Sequence, residues 1–228
     1  MIFSDDVVFI HIPRTGGSSC SHYLLRCLRG PIHNCHAGAA KETARIDRRC
    51  IHPHTDVNRH CSLRGAERHI RRLTGQSLAE KRLLLAVVRH PFALEYSFYM
   101  HLRKPNARKR RMQVAPEQVR LARGDFRSFV ARAGYFREGM RQEDYFLLDG
   151  DIPANLKLLK FEDLPELVPR AVAPFAREDK IVEFPHRNRS AASEAGLHQL
   201  LDEETRELIR RKHSWLFERG YYSFDLPA

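Results

Sequence analysis

Arg14, Thr15, Gly16, Gly17, Ser18 and Ser19 follow one another directly behind the apolar run Val7-Val8-Phe9-Ile10 and the link His11-Ile12-Pro13. A guanidinium, paired glycines and three hydroxyls in so short a stretch are the parts of an anion site. The glycines let the backbone come close to a ligand, and a helix that starts here turns its unpaired N–H groups and positive dipole end toward the same point. The chemistry this suits is the holding of a phosphate-like group. A second cation stands in a comparable setting: Arg89 directly follows the six apolar residues Leu83-Leu84-Leu85-Ala86-Val87-Val88.

Presenting these groups requires strands that end where the cations stand. Val7-Val8-Phe9-Ile10 reads as a strand, and the run from Leu83 to Val88 as a buried strand of a parallel sheet. Pro91 forbids the second strand from continuing and suits the first turn of a helix. Arg89 therefore sits at a strand's C-terminal edge, which in open α/β sheets lines the ligand crevice, and the first loop lies at the same edge. Behind that loop Cys20, Tyr23, Leu24, Cys27 and Leu28 fall at i, i+3, i+4, i+7 and i+8, one buried helical stripe with Ser18 or Ser19 as its cap. Ser62 is positioned to cap a helix carrying Leu63, Ala66, Ile70 and Leu73 on one face. Asp125 is placed to cap a short helix that turns Phe126, Phe129 and Val130 inward. A last helix starts at Asp202, with Glu203 and Glu204 in its first turn and Arg210, Arg211 and Lys212 later, and is expected to stop at Gly220.

The loop lacks the spacing of the ATP/GTP loop, which places four residues between its glycines and follows with Gly-Lys-Ser/Thr. Pro13-Arg14-Thr15-Gly16-Gly17-Ser18-Ser19 resembles instead the 5′-phosphosulfate loop of sulfotransferases that use 3′-phosphoadenosine 5′-phosphosulfate (PAPS), written Pro-Lys-Thr-Gly-Gly-Thr-Ser in the carbohydrate-type and bacterial branches. Arg14 stands where that family has lysine. The apolar strand followed by Val88-Arg89-His90-Pro91, with Ser97 eight residues after Arg89, resembles the family's 3′-phosphate motif. Leu158-Leu159-Lys160-Phe161-Glu162-Asp163-Leu164 is similar to its late strand. Pro185-His186-Arg187-Asn188-Arg189-Ser190 is similar to the loop that closes over the 3′-phosphoadenosine. His60-Cys61-Ser62-Leu63-Arg64 resembles the segment that opens the helix before the second motif, and Gln142 a position near the active cleft.

The resemblance implies one α/β domain over residues 1–228, a central parallel sheet flanked by helices and related to the fold of P-loop kinases. It implies PAPS as donor, 3′-phosphoadenosine 5′-phosphate (PAP) as product, and no metal. Arg14, Thr15, Gly16, Gly17, Ser18 and Ser19 are then expected to hold the phosphosulfate, with Arg14 also catalytic. Arg89, Ser97, Asn188, Arg189 and Ser190 are expected on the 3′-phosphoadenosine. His60 is the expected base, with His52 and His54 as rivals, since an imidazole of pKa near 6.5 suits proton abstraction at neutral pH. The acceptor is expected to carry a hydroxyl, on a carbohydrate such as an anionic glycan or on a small metabolite. Two other readings stay open: a P-loop-type small-molecule kinase, and a non-catalytic module that binds a nucleotide or nucleic acid.

Composition bounds these readings. The 228 residues carry 39 Lys plus Arg against 28 Asp plus Glu, a formal net charge of +11 that favours anionic partners. Eight of the cations lie in the stretch from Arg103 to Arg123 without interleaved aromatics, which argues against single-stranded nucleic acid; a stable nucleic-acid partner is not expected. No segment reaches the ~20 apolar residues of a membrane helix, and no basic n-region precedes the first apolar run, so a cytoplasmic protein is expected. The five cysteines are expected free, Cys20 and Cys27 as small hydrophobes on a helix face. The His/Cys-rich stretch from His33 to Cys61 lacks the Cys-x-x-Cys or helical His-x-x-x-His spacing of a zinc site.

Overall fold

The computed structural model describes residues 1–35, 51–54, 56–104, 116–134, 140–179, 181–185 and 194–225. Asn188, Arg189 and Ser190, and residues 105–115 of the basic segment, lie outside them. In chain order the elements are β1 (Ile2–Phe3), β2 (Val7–Ile10), α1 (Gly17–Cys27), β3 (Ile32–Asn34), β4 (Ile51–Pro53), α2 (Leu63–Thr74) and β5 (Leu83–Val88). There follow α3 (Pro91–Leu102), α4 (Pro116–Leu121), α5 (Phe126–Arg132), β6 (Leu156–Lys160), α6 (Leu164–Val172), α7 (Glu194–Leu200), α8 (Glu203–Lys212) and α9 (Ser214–Glu218). The chain divides into two compact units, residues 1–88 with 145–188 and residues 89–144 with 189–228.

The first unit is built on a six-stranded sheet in the order β4-β3-β1-β2-β5-β6. It is mixed, mostly parallel, and flanked by helices; the central parallel sheet read from the sequence is present with one antiparallel strand, β1, inserted in it. β2 pairs with β5, β5 with β6 and β3 with β4 in parallel, whereas β1 is antiparallel to both of its neighbours. The cause is a tight turn: Ser4 N–H donates to the Val7 carbonyl at 2.8 Å and Val7 N–H to Ser4 Oγ at 3.2 Å, folding Ile2 back onto Phe9. An antiparallel strand between β2 and β3 leaves those two running the same way. The five longer strands thus end at one edge, where the chain leaves β2 at Ile10, β4 at Pro53 and β5 at Val88. Alternation puts Val7, Phe9, Leu83, Leu85 and Val87 on the face that packs against Cys20, Tyr23, Leu24 and Cys27 of α1 and Leu164, Val168 and Val172 of α6. The stripe expected on α1 is buried throughout, and the four described cysteines are free.

The second unit is helical. Asp125 caps α5 by accepting from Ser128 N–H at 2.8 Å, and Asp202 caps α8 by accepting from Thr205 N–H at 2.7 Å. Phe98 and Tyr99 of α3 pack their rings on Phe129 of α5, and Phe92 meets Phe217 and Phe224. The helix expected to run unbroken from Asp202 breaks at His213, which leaves helical geometry at φ −118° and ψ 30°. There the His213 ring is pinned to the fully buried Glu95 at 2.7 Å, with Lys212 at 3.0 Å. Burial opposes ionisation of Glu95, yet Lys212 and His213 outweigh it and hold the carboxyl below its ordinary range. No helix among the described residues is long and apolar enough to cross a membrane.

Candidate functional site

The loop after β2 is a compact turn in which Arg14 adopts φ 65° and Gly16 φ 77°. The left-handed region is open to glycine and strained for arginine, and such strain persists where the surrounding structure imposes it. Gly16, not Ser18 or Ser19, is the N-cap of α1, and its side-chain-free left-handed geometry explains why the helix starts earlier than expected. The Gly16 carbonyl accepts from Ser19 N–H at 2.9 Å and Cys20 N–H at 3.2 Å, while the buried Thr15 hydroxyl donates to the Ile12 carbonyl at 3.0 Å. The first N–H groups of α1 and its positive dipole end face the loop.

Gly16 is required by its φ and by its neighbours, and Gly17 by its neighbours alone. A Cβ on Gly16 would lie 2.6 Å from Leu164 Cδ1 and 3.1 Å from the Phe161 ring, so the turn between β6 and α6 is seated on the loop. A Cβ on Gly17 would lie 1.9 Å from His11 Cδ2. His11 is buried and cannot simply swing aside, so Gly17→Ala should destabilise the fold by about 1–3 kcal/mol, the usual result of overpacking. Urea denaturation measures this, and an unchanged midpoint would show that the His11 ring does not rest on Gly17.

His60 reaches this loop from the segment after β4. Asn58 Oδ1 accepts from His60 N–H at 2.9 Å, and Ser62 caps α2 by accepting from Gly65 N–H at 3.4 Å. His60 Nδ1 lies 2.8 Å from the His11 carbonyl oxygen, and the two rings meet edge to face at 4.6 Å. A carbonyl only accepts, so Nδ1 carries the proton. The lone pair is then on Nε2, which accepts from Arg59 Nε at 2.8 Å. This is a neutral imidazole held in one tautomer with its basic nitrogen facing a cation.

The rivals gather elsewhere. His33 stacks on Phe3 at 4.4 Å, His54 Nε2 lies 2.9 Å from His33 Nδ1, and His52 stacks on His33 at 5.1 Å. Burial first, and then the neighbouring His54 and His52, push the His33 pKa down to about 4. Among the described residues no group of three or more His, Cys, Asp or Glu side chains is arranged to hold a metal ion.

Arg89 and Ser97 belong to the second unit. Arg89 N–H donates to Gln142 Oε1 at 2.9 Å, and Gln142 Nε2 donates to the Arg89 carbonyl at 3.0 Å. His90 caps α3 by accepting from Phe92 N–H at 3.3 Å, with Pro91 opening the helix. Ser97 is buried within α3. The structure thus sets Arg14, Thr15, Gly16, Gly17, Ser18 and Ser19 in one turn and helix start, and links His60 to it through His11, whose ring rests on Gly17. His11, Phe161 and Leu164, from stretches singled out in the sequence without a role of their own, pack on the loop, and Arg59 joins unforeseen, with only its adjacency to His60 as a signal. Comparison with known protein families, curated proteins and solved structures finds no match.

Proposed function

We propose that this chain is a sulfotransferase that moves a sulfuryl group from PAPS to an acceptor hydroxyl. The observation that carries the reading is His60, fixed by the His11 carbonyl as an Nδ1-protonated imidazole, with the His11 ring resting on Gly17 of the loop that bears Arg14. The loop's donor set fits a phosphosulfate: a guanidinium, a helix N-terminus and serine hydroxyls all donate to anionic oxygens. His60 Nε2 takes the acceptor's hydroxyl proton once Arg59 has moved off it. Arg14 and the loop N–H groups stabilise the charge that develops on the leaving phosphate oxygen. The donor supplies the activated sulfuryl group, whose bond to that phosphate oxygen breaks as the bond to the acceptor oxygen forms. Arg89 and Ser97 hold the 3′-phosphate in this reading, together with Asn188, Arg189 and Ser190.

A thermal shift tests the foundation. Stabilisation by PAP and not by magnesium-ATP supports the reading, stabilisation by magnesium-ATP alone replaces it with a kinase, and stabilisation by neither removes it. Arg89→Ala should weaken PAP binding by about 2 kcal/mol, as the loss of charged hydrogen bonds typically does. Unchanged calorimetric affinity in a folded variant would refute the role given to Arg89. Turnover of labelled PAPS against panels of glycans and small hydroxylated metabolites then identifies the acceptor.

A further inference from the structure

Gln142 is fully buried, and its side chain makes both of its hydrogen bonds to the main chain of a residue 53 positions away, Arg89. The sheet explains why such a partner is needed. The β5–β6 ladder ends at Val88 paired with Lys160, and the β2–β5 ladder at Ala86 paired with Ile10. Arg89 is the first residue past both, so its N–H and carbonyl have left the ladders. A primary amide offers one acceptor and one donor in a plane, and here it replaces a neighbouring strand for a single residue. Only Asn and Gln side chains provide that pair, and a carboxylate would face the Arg89 carbonyl without a proton to give. On the other side of Arg89, His90 caps α3 and Pro91 fixes the first helical φ. The Arg89 Cα–Cβ direction is therefore set from both sides.

We propose that Gln142 is a positioning residue that gives the chain its selectivity for a 3′-phosphorylated adenine nucleotide, by fixing the backbone from which the Arg89 guanidinium projects. The proposal rests on the reading of Arg89 as the 3′-phosphate ligand. Gln142 itself touches no substrate. Its effect is confined to the increment that the 3′-phosphate adds to binding, because a guanidinium on a loosened backbone must be ordered each time it binds.

The test is the ratio of calorimetric affinities for PAP and for adenosine 5′-monophosphate, measured on wild type, Arg89→Ala and Gln142→Met. Methionine keeps the length and bulk of glutamine and removes both hydrogen bonds. In Gln142→Met the ratio should fall by about 10-fold or more, within the loss that a misplaced binding group produces, while the monophosphate affinity holds within about 2-fold. Gln142→Asn keeps the amide one methylene short and is read by the same ratio should the methionine variant fail to fold. An unchanged ratio in either folded variant overturns the proposal, as does an equal loss for both nucleotides, which marks a general structural role. A wild-type protein that binds both nucleotides equally, or an Arg89→Ala variant with an unaltered ratio, refutes instead the reading of Arg89 on which the proposal stands.

Discussion

His60→Ala is expected to lower turnover of PAPS by about 10²- to 10⁴-fold, the contribution of a positioned general base, while leaving PAP affinity nearly intact. The geometry makes the expectation specific to one nitrogen. Nδ1 is committed to the His11 carbonyl at 2.8 Å, which leaves Nε2 to accept the proton, and that atom now accepts from Arg59 Nε at 2.8 Å. Turnover is measured with labelled donor at saturation for His60→Ala, His52→Ala and His54→Ala side by side. The last two should remain close to wild type, because both rings are engaged with His33 and that of His54 also with Phe3. A fully active His60→Ala protein beside an inactive His52→Ala or His54→Ala protein would move the base into that stack.

Arg14→Ala is expected to lose about 10²- to 10³-fold in turnover, as the removal of one transition-state charge stabiliser does. Arginine stays protonated at any working pH, so it acts as a fixed charge and a hydrogen-bond fork and not as a proton donor. The leaving phosphate is a weak base that needs neutralising more than it needs a proton. Arg14→Lys should therefore retain measurable activity. Assays at saturating PAPS keep weakened binding from passing as weakened chemistry, and wild-type turnover in Arg14→Ala would reduce the loop to a binding turn.

These strands and helices were legible because their signals are local. Six apolar residues closed by Arg89 and Pro91 give β5 and the start of α3, and Ser62, Asp125 and Asp202 cap the helices they were expected to cap. The two-residue β1 carries no periodicity, and its antiparallel course depends on the turn at Ser4. The helix break at His213 depends on Glu95, 118 positions away, and the hold on Arg89 depends on Gln142, 53 positions away. Pairings across such distances leave no mark on the residues between them. The cap of α1 was misplaced for a different reason: serine is the commoner side-chain cap, but a left-handed Gly16 already ends the turn and leaves no capping role for either hydroxyl.

The φ of 65° at Arg14 separates what folding asks of position 14 from what the proposed chemistry asks of it. A chain chosen for stability alone would carry glycine there, since a side chain in the left-handed region costs about 1–2 kcal/mol. Arg14→Gly should accordingly melt no lower than the wild type while losing turnover with Arg14→Ala, so the two properties move in opposite directions at a single residue. Efforts to harden this protein by relieving backbone strain would reach position 14 early, and are expected to gain thermal tolerance there at the expense of the proposed turnover.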